Sequence, residues 1–139
     1  MGQYYKIVNL DRKEYLKPWT FGSGAKLMEI CINAHGALVA LALLLAHGNG
    51  EGLGDVRLKE EDDPVADLIG SWKGDRIVIT GDYAQAEELE DKLPKKLRED
   101  LLNKHVADFS LYDQCDDFKD ISEDMKRLIE LSGLAPFMD

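Results

Sequence analysis

The residues that could do chemistry gather around one glycine-rich stretch and one strand. His47-Gly48-Asn49-Gly50-Glu51-Gly52-Leu53-Gly54-Asp55 sets four glycines at alternate positions. A backbone this free of side chains can approach a ligand closely and turn its N–H groups towards an anion. Further on, Asp75 precedes the strand-like Arg76-Ile77-Val78-Ile79-Thr80, and Gly81-Asp82-Tyr83 follows it. A small-molecule or nucleotide-like ligand held there would meet His47, Asn49, Gly50, Glu51, Gly52, Asp75, Asp82 and Tyr83. If burial pushed two of these carboxyl pKa values apart, the pair could do acid–base work of a hydrolase kind. The loop matches neither a Walker A sequence, since no Gly-Lys-Ser/Thr follows, nor a dinucleotide fingerprint. The plainer alternatives are a linker or Ω-loop for the glycines and an ordinary turn for Gly81-Asp82-Tyr83.

The second group is acidic. Asp108 to Asp124 carries seven acids against the single Lys119, a net of −6. Asp113, Asp116, Asp117 and Asp120 crowd its centre without the Asp-x-Asp-x-Asp-Gly order of a calcium loop, so no metal site is expected. This patch is the candidate for a surface that meets a basic region of another protein, with a solvated loop as the plain alternative. The whole chain, at −10, argues against a nucleic-acid backbone as partner. Acidity for solubility alone is the competing explanation. No Cys-x-x-Cys, His-Glu-x-x-His or Gly-x-Ser-x-Gly occurs, so no catalytic residue is assigned and no cofactor is expected. His35 and His47 bracket a helix about 16 Å long and cannot share a metal.

The elements that must position these groups start from Gly36 to Ala46, an apolar run rich in Leu and Ala. It is too short for a bilayer, and its composition favours helix over strand. Apolar all round, it reads as a buried central helix, ended by Gly48 in a left-handed conformation. Gln3 to Leu10 reads as a strand with Tyr5 and Ile7 on one side and Tyr4, Val8 and Leu10 on the other. Asp11-Arg12-Lys13 turns it into a second arm, Glu14 to Lys17, which Pro18 ends. Ser23 is placed as N-cap of a helix over 25–33 whose face of Leu27, Met28, Cys31 and Ile32 puts Cys31 in the core. Val56 to Asp67 is expected as a charged connection, and Ile77 and Ile79 alternate with Val78 and Thr80 in the clearest strand. Pro94 opens a helix with Leu97, Leu101 and Val106 facing the core and Lys95, Lys96, Arg98, Glu99 and Lys104 in water. Asp108 to Tyr112 is expected as an edge strand, and Ser122 as the cap of a last helix with a Met125, Leu128, Ile129 stripe. Gly133 ends that helix, and the tail at 134–137 is expected to pack back.

Two stretches carry a resemblance. Gly2-Gln3-Tyr4-Tyr5-Lys6-Ile7-Val8-Asn9-Leu10-Asp11-Arg12-Lys13-Glu14-Tyr15 resembles the opening of a family of small uncharacterised bacterial and phage proteins. Trp72-Lys73-Gly74-Asp75-Arg76-Ile77-Val78-Ile79-Thr80-Gly81-Asp82-Tyr83 is similar to a later segment of that group. The resemblance implies a prokaryotic or viral source and a free-standing domain; it brings no activity and no functional residue.

The expected architecture is therefore one compact α+β domain spanning 1–139. In it a small antiparallel or mixed sheet, made of the N-terminal hairpin and the strand near 76–80, packs against the helix at about 36–46. Two cysteines make no disulfide framework, and the N-terminus carries no signal-peptide pattern, so a cytoplasmic protein with free thiols is expected. The first functional expectation is a small acidic, non-enzymatic protein that binds a protein partner, of the inhibitor or immunity-factor type. A ligand binder using the glycine loop is the second and a hydrolase in the same cleft the third. The apolar outer face of the hairpin would also suit a symmetric dimer.

Overall fold

The computed structural model describes residues 3–22, 24–31, 36–47, 64–82, 95–96, 99 and 111–131, the side chains at 113, 114 and 116 excepted. Expectations for Ser23, Ile32, His35, Gly48 to Asp63, Tyr83, Pro94, Leu97, Arg98, Leu101, Lys104, Val106, Gly133 and the tail at 134–137 lie outside these residues. Strand β1 (Tyr5–Asn9) turns into β2 (Glu14–Leu16), and a 3-10 turn follows at Pro18–Phe21. Helix α1 is the short Leu27–Ile30, and α2 spans Ala37–Leu45. A second 3-10 turn (Pro64–Leu68) precedes β3 (Ile77–Gly81). Helix α3 (Leu111–Gln114) runs into a 3-10 turn (Cys115–Asp117), then β4 (Lys119–Asp120) and α4 (Ser122–Leu131). The sheet order is β3-β1-β2-β4, antiparallel except for the β2–β4 pair, so the fold is α+β with a mixed sheet.

Alternation in β1 sorts its side chains onto two faces, as a strand period of two requires. Ile7 and Leu16 share a core with Phe21, Ile30, Trp72, Ala37, Ala40, Leu43 and Leu44 of α2, and Met125, Leu128 and Ile129 of α4. Val8, Leu10 and Tyr15 face the other way, where Leu111, Cys115 and Phe118 cover them. Val8 and Leu10 on the hairpin's outer face are thus covered by the chain's own later segment, while Tyr4 is 50% exposed. That need for cover also explains why Leu111 and Tyr112 are helical instead of forming an edge strand. One helical turn drops Leu111 and Cys115, four apart, onto the same apolar surface. The edge strand beside β2 is Lys119–Asp120, which pairs with Glu14 and Tyr15.

Helix α2 sits on the sheet as expected, but it is not buried all round. Leu38 and Leu45 are 37% and 39% exposed, and Ala42 between them is also at the surface. Its last turn leaves through an extended Ala46, and the carbonyls of Leu43 and Leu44 accept from Gly70 N (2.8 Å) and Trp72 N (2.9 Å). Helix ends need their carbonyls satisfied, and here a neighbouring turn does it. Helix α1 is too short for the apolar face expected of 25–33. Ala25 and Ile30 point inwards, while Leu27, Met28 and Cys31 lie outside. Glu29 accepts from Lys26 N at 3.1 Å, fixing this single turn in a register that carries Cys31 to the surface.

At the start of α4, Ile121 O accepts the first helical bond from Met125 N, so Ile121 rather than Ser122 is the N-cap. Asp120 Oδ1 takes the Ser122 N–H at 2.9 Å. The Ser122 hydroxyl is turned away from its own helix and accepts the Lys17 N–H at 2.7 Å. In β3 the buried end is Thr80, 2% exposed, whereas Ile79 is 36% exposed, the reverse of what hydropathy alone predicts. Thr80 pairs with Lys6 on the face covered by α3; Ile79 stands on the other face.

Candidate functional site

Of the residues first singled out for chemistry, the structure describes His47, Asp75 and Asp82. Asp75 and Asp82 stand at the two ends of β3, seven residues apart and so about 23 Å in an extended chain. Each is already an acceptor in the fold. Asp75 Oδ2 takes Asn9 Nδ2–H at 2.9 Å, and Asp82 Oδ1 takes Tyr4 N–H at 3.1 Å while Tyr4 O accepts Asp82 N–H at 2.9 Å. A two-carboxylate acid–base pair cannot form from them. His47 is exposed just past α2; Asn49, Gly50, Glu51, Gly52 and Tyr83 lie outside the described residues. Among the described residues no group of three His, Cys, Asp or Glu could hold a metal ion, and no helix is long and apolar enough to cross a membrane.

The turn end of the hairpin is a dense structural network. Asn9, fully buried, accepts from Asp11 N and Arg12 N at 2.9 and 2.8 Å and donates to Asp75. Asp11 Oδ2 accepts Arg76 N–H at 2.7 Å, and Glu14 Oε1 accepts the buried Trp72 Nε1–H at 2.8 Å while pairing with Arg12 at 3.3 Å. The stretches at 3–15 and 72–82 are therefore neighbours in space, β1 pairing with β3 and their flanks locked by these bonds.

The opposite end of β2 is different in kind. Pro18 and Phe21 are both buried, and a 3-10 turn, with three residues per turn, puts such a pair on one side. Trp19 is then forced outwards and is 45% exposed. Gly22 closes the turn at φ 79°, its N–H bonded to Trp19 O. Lys17 Nζ lies 6.0 Å from the Trp19 ring centroid, 5.8 Å from that of Tyr15 and 3.5 Å from Asp120 Oδ2. Lys6 continues the series: its Nζ is 5.6 Å from the Tyr15 ring and 4.1 Å from that of Tyr112, whose carbonyl it reaches at 3.0 Å. Aromatic rings and ammonium groups thus alternate across this face from Trp19 to Tyr112, which suits the negative ring faces and the positive heads. The turn bearing Trp19 packs against α4, whose first turn exposes Glu123 and Asp124 beside Asp120.

Of the acids read as a protein-facing patch, Asp117 and Asp120 are exposed, while the side chains of Asp113 and Asp116 lie outside the described residues. Asp120 also has fold work, holding Ser122 N–H and Lys17. Trp19 and Lys17 escaped the sequence reading, although Pro-Trp-Thr-Phe after a strand already contains the signal: a proline and an aromatic three apart flank a tryptophan. Comparison with protein families, curated proteins and solved structures finds no match.

Proposed function

We propose that this protein is a non-enzymatic binding protein that docks a basic region of a protein partner through Trp19 and the acids around it. The observation that carries the reading is the half-exposed Trp19 indole beside Lys17, which pairs with Asp120, on a turn that packs against the acid-opened helix α4. Tryptophan is enriched among the residues that carry binding energy, because it offers a large apolar area with few rotors. A rim of carboxylates supplies direction and on-rate rather than most of the affinity. The net charge of −10 acts in the same sense at long range. An inhibitor or immunity-factor type of protein would use such a surface. Among the described residues no specific observation favours the ligand-binding or hydrolase readings; the loop at 48–54 lies outside them.

The test is a photo-crosslinking residue placed at Thr20, beside Trp19, in the cells that make the protein, with Lys73 at the far end of the hairpin as control position. A defined partner captured from Thr20 and not from Lys73, and lost on combining Asp120→Asn, Glu123→Gln and Asp124→Asn, is the expected result. Equal capture from both positions, or capture indifferent to the acids, contradicts the reading.

A further inference from the structure

We propose that Trp19, Tyr15 and Asp120 form a receptor for one arginine side chain of the partner, with Lys17 as its built-in occupant. This rests on the docking reading above and names the group that the surface recognises. The distances from Lys17 Nζ to both rings, 6.0 and 5.8 Å, lie at the outer limit of cation–π attraction, and its 3.5 Å contact with Asp120 is long for a charge-assisted bond. The Lys17 ammonium is therefore only loosely engaged by the two rings and the carboxylate. A guanidinium is planar, stacks on an indole and offers two parallel N–H groups to one carboxylate, so it fills the same place better.

The parts are held for this. Tyr15 is buried and forms the floor, and its ring also neighbours Lys6. Trp19 is the wall, fixed by the burial of Pro18 and Phe21 on either side. Asp120 is oriented by its Oδ1 bond to Ser122 N–H, which leaves Oδ2 turned to the cation. Lys17 is anchored at its backbone, where Ser122 Oγ accepts its N–H, so only the head, on a side chain one-third exposed, has to swing into water. Its departure removes one positive charge, with Lys6 still against the Tyr15 ring, and frees the Asp120 carboxylate it was paired with to meet an incoming cation.

The test is a low-salt titration of the full chain, followed by tryptophan fluorescence, with an acetylated and amidated Gly-Arg-Gly-Arg-Gly peptide and its neutral citrulline counterpart. Trp19→Phe supplies the blank for the buried Trp72. The arginine peptide should shift the wild-type signal and the citrulline peptide should not. Lys17→Met should tighten arginine binding about threefold or more, since it removes a competing occupant. Asp120→Asn should abolish it. Equal response to both peptides, no response in wild type and Lys17→Met alike, or unchanged or weaker binding in Lys17→Met overturns the proposal. If the peptide fails while the Thr20 crosslink persists, docking stands and the arginine receptor falls; if the crosslink fails while Lys17→Met tightens peptide binding as stated, the reverse holds.

Discussion

Single residues here carry stability through polar groups placed where water cannot reach. Asn9 satisfies two backbone donors and one carboxylate from a fully buried position, so Asn9→Ala strands three partners at once. We expect a loss of about 1–3 kcal/mol, since the three partners lie on part-exposed residues where water recovers some of the lost bonding; equilibrium urea unfolding checks it. Thr80 is the opposite case. Its hydroxyl is buried without a hydrogen-bond partner, as is that of Ser71. Thr80→Val keeps the shape and removes the orphan, and should stabilise the protein by about 1 kcal/mol in the same measurement. A clear destabilisation would show that the hydroxyl is used in solution. Lys13 adopts φ 55° in the hairpin turn, a conformation that costs a side-chain-bearing residue about 1 kcal/mol. Lys13→Gly should therefore raise the unfolding midpoint slightly in spite of its greater unfolded entropy.

At the scale of elements, the sheet is closed by contacts from far along the chain. Lys119 N donates to Lys13 O, Ile121 N to Tyr15 O, and Lys17 N to Ser122 Oγ, so β4 and the start of α4 are fastened to β2 as a unit. Ser122→Ala leaves the Lys17 N–H buried against a methyl group and should cost about 1–3 kcal/mol. Amide exchange should then speed at Lys17 and in the first turn of α4 more than in β1. This unit also marks where the sequence was legible. The alternation of Tyr5 and Ile7 against Val8 and Leu10, and the Met125, Leu128, Ile129 stripe, are periodic, and periodicity is a local property that survives into the fold. A two-residue parallel strand has no period, and its partner lies about a hundred residues earlier, so β4 could not be read. Cys31 was misplaced because a face drawn over nine residues was applied to a helix of four. The exposure of Trp19 depends on the 3-10 pitch of Pro18–Phe21, which no sequence period announces, whereas glycines and aspartates stand out in a sequence by type alone. Residue type does not bring Asp75 and Asp82 together: the strand between them holds them apart.

For the whole molecule the acidic balance and the exposed aromatic belong to one account. The chain repels bulk anions, yet at Trp19 it gathers aromatic faces, two lysines and an acidic rim within a few residues. The stripe of Leu38, Ala42 and Leu45 is a second exposed apolar surface, and a charged substitution at Leu38 should leave stability within roughly 1 kcal/mol because the site is open. Binding of a basic partner at Trp19 should weaken steeply with salt, since rim charges act through a screened field. Trp19→Ala should weaken it by about 2 kcal/mol, near thirtyfold, through loss of the indole's buried area.

The measurement that tests this most directly is the affinity of the crosslinked partner for wild-type and Trp19→Ala protein, read by calorimetry alongside the unfolding midpoint of each. A thirtyfold loss of affinity with a nearly unchanged midpoint is the predicted result. Unchanged affinity in a folded Trp19→Ala variant would contradict the account, because the partner would then be held by some other surface.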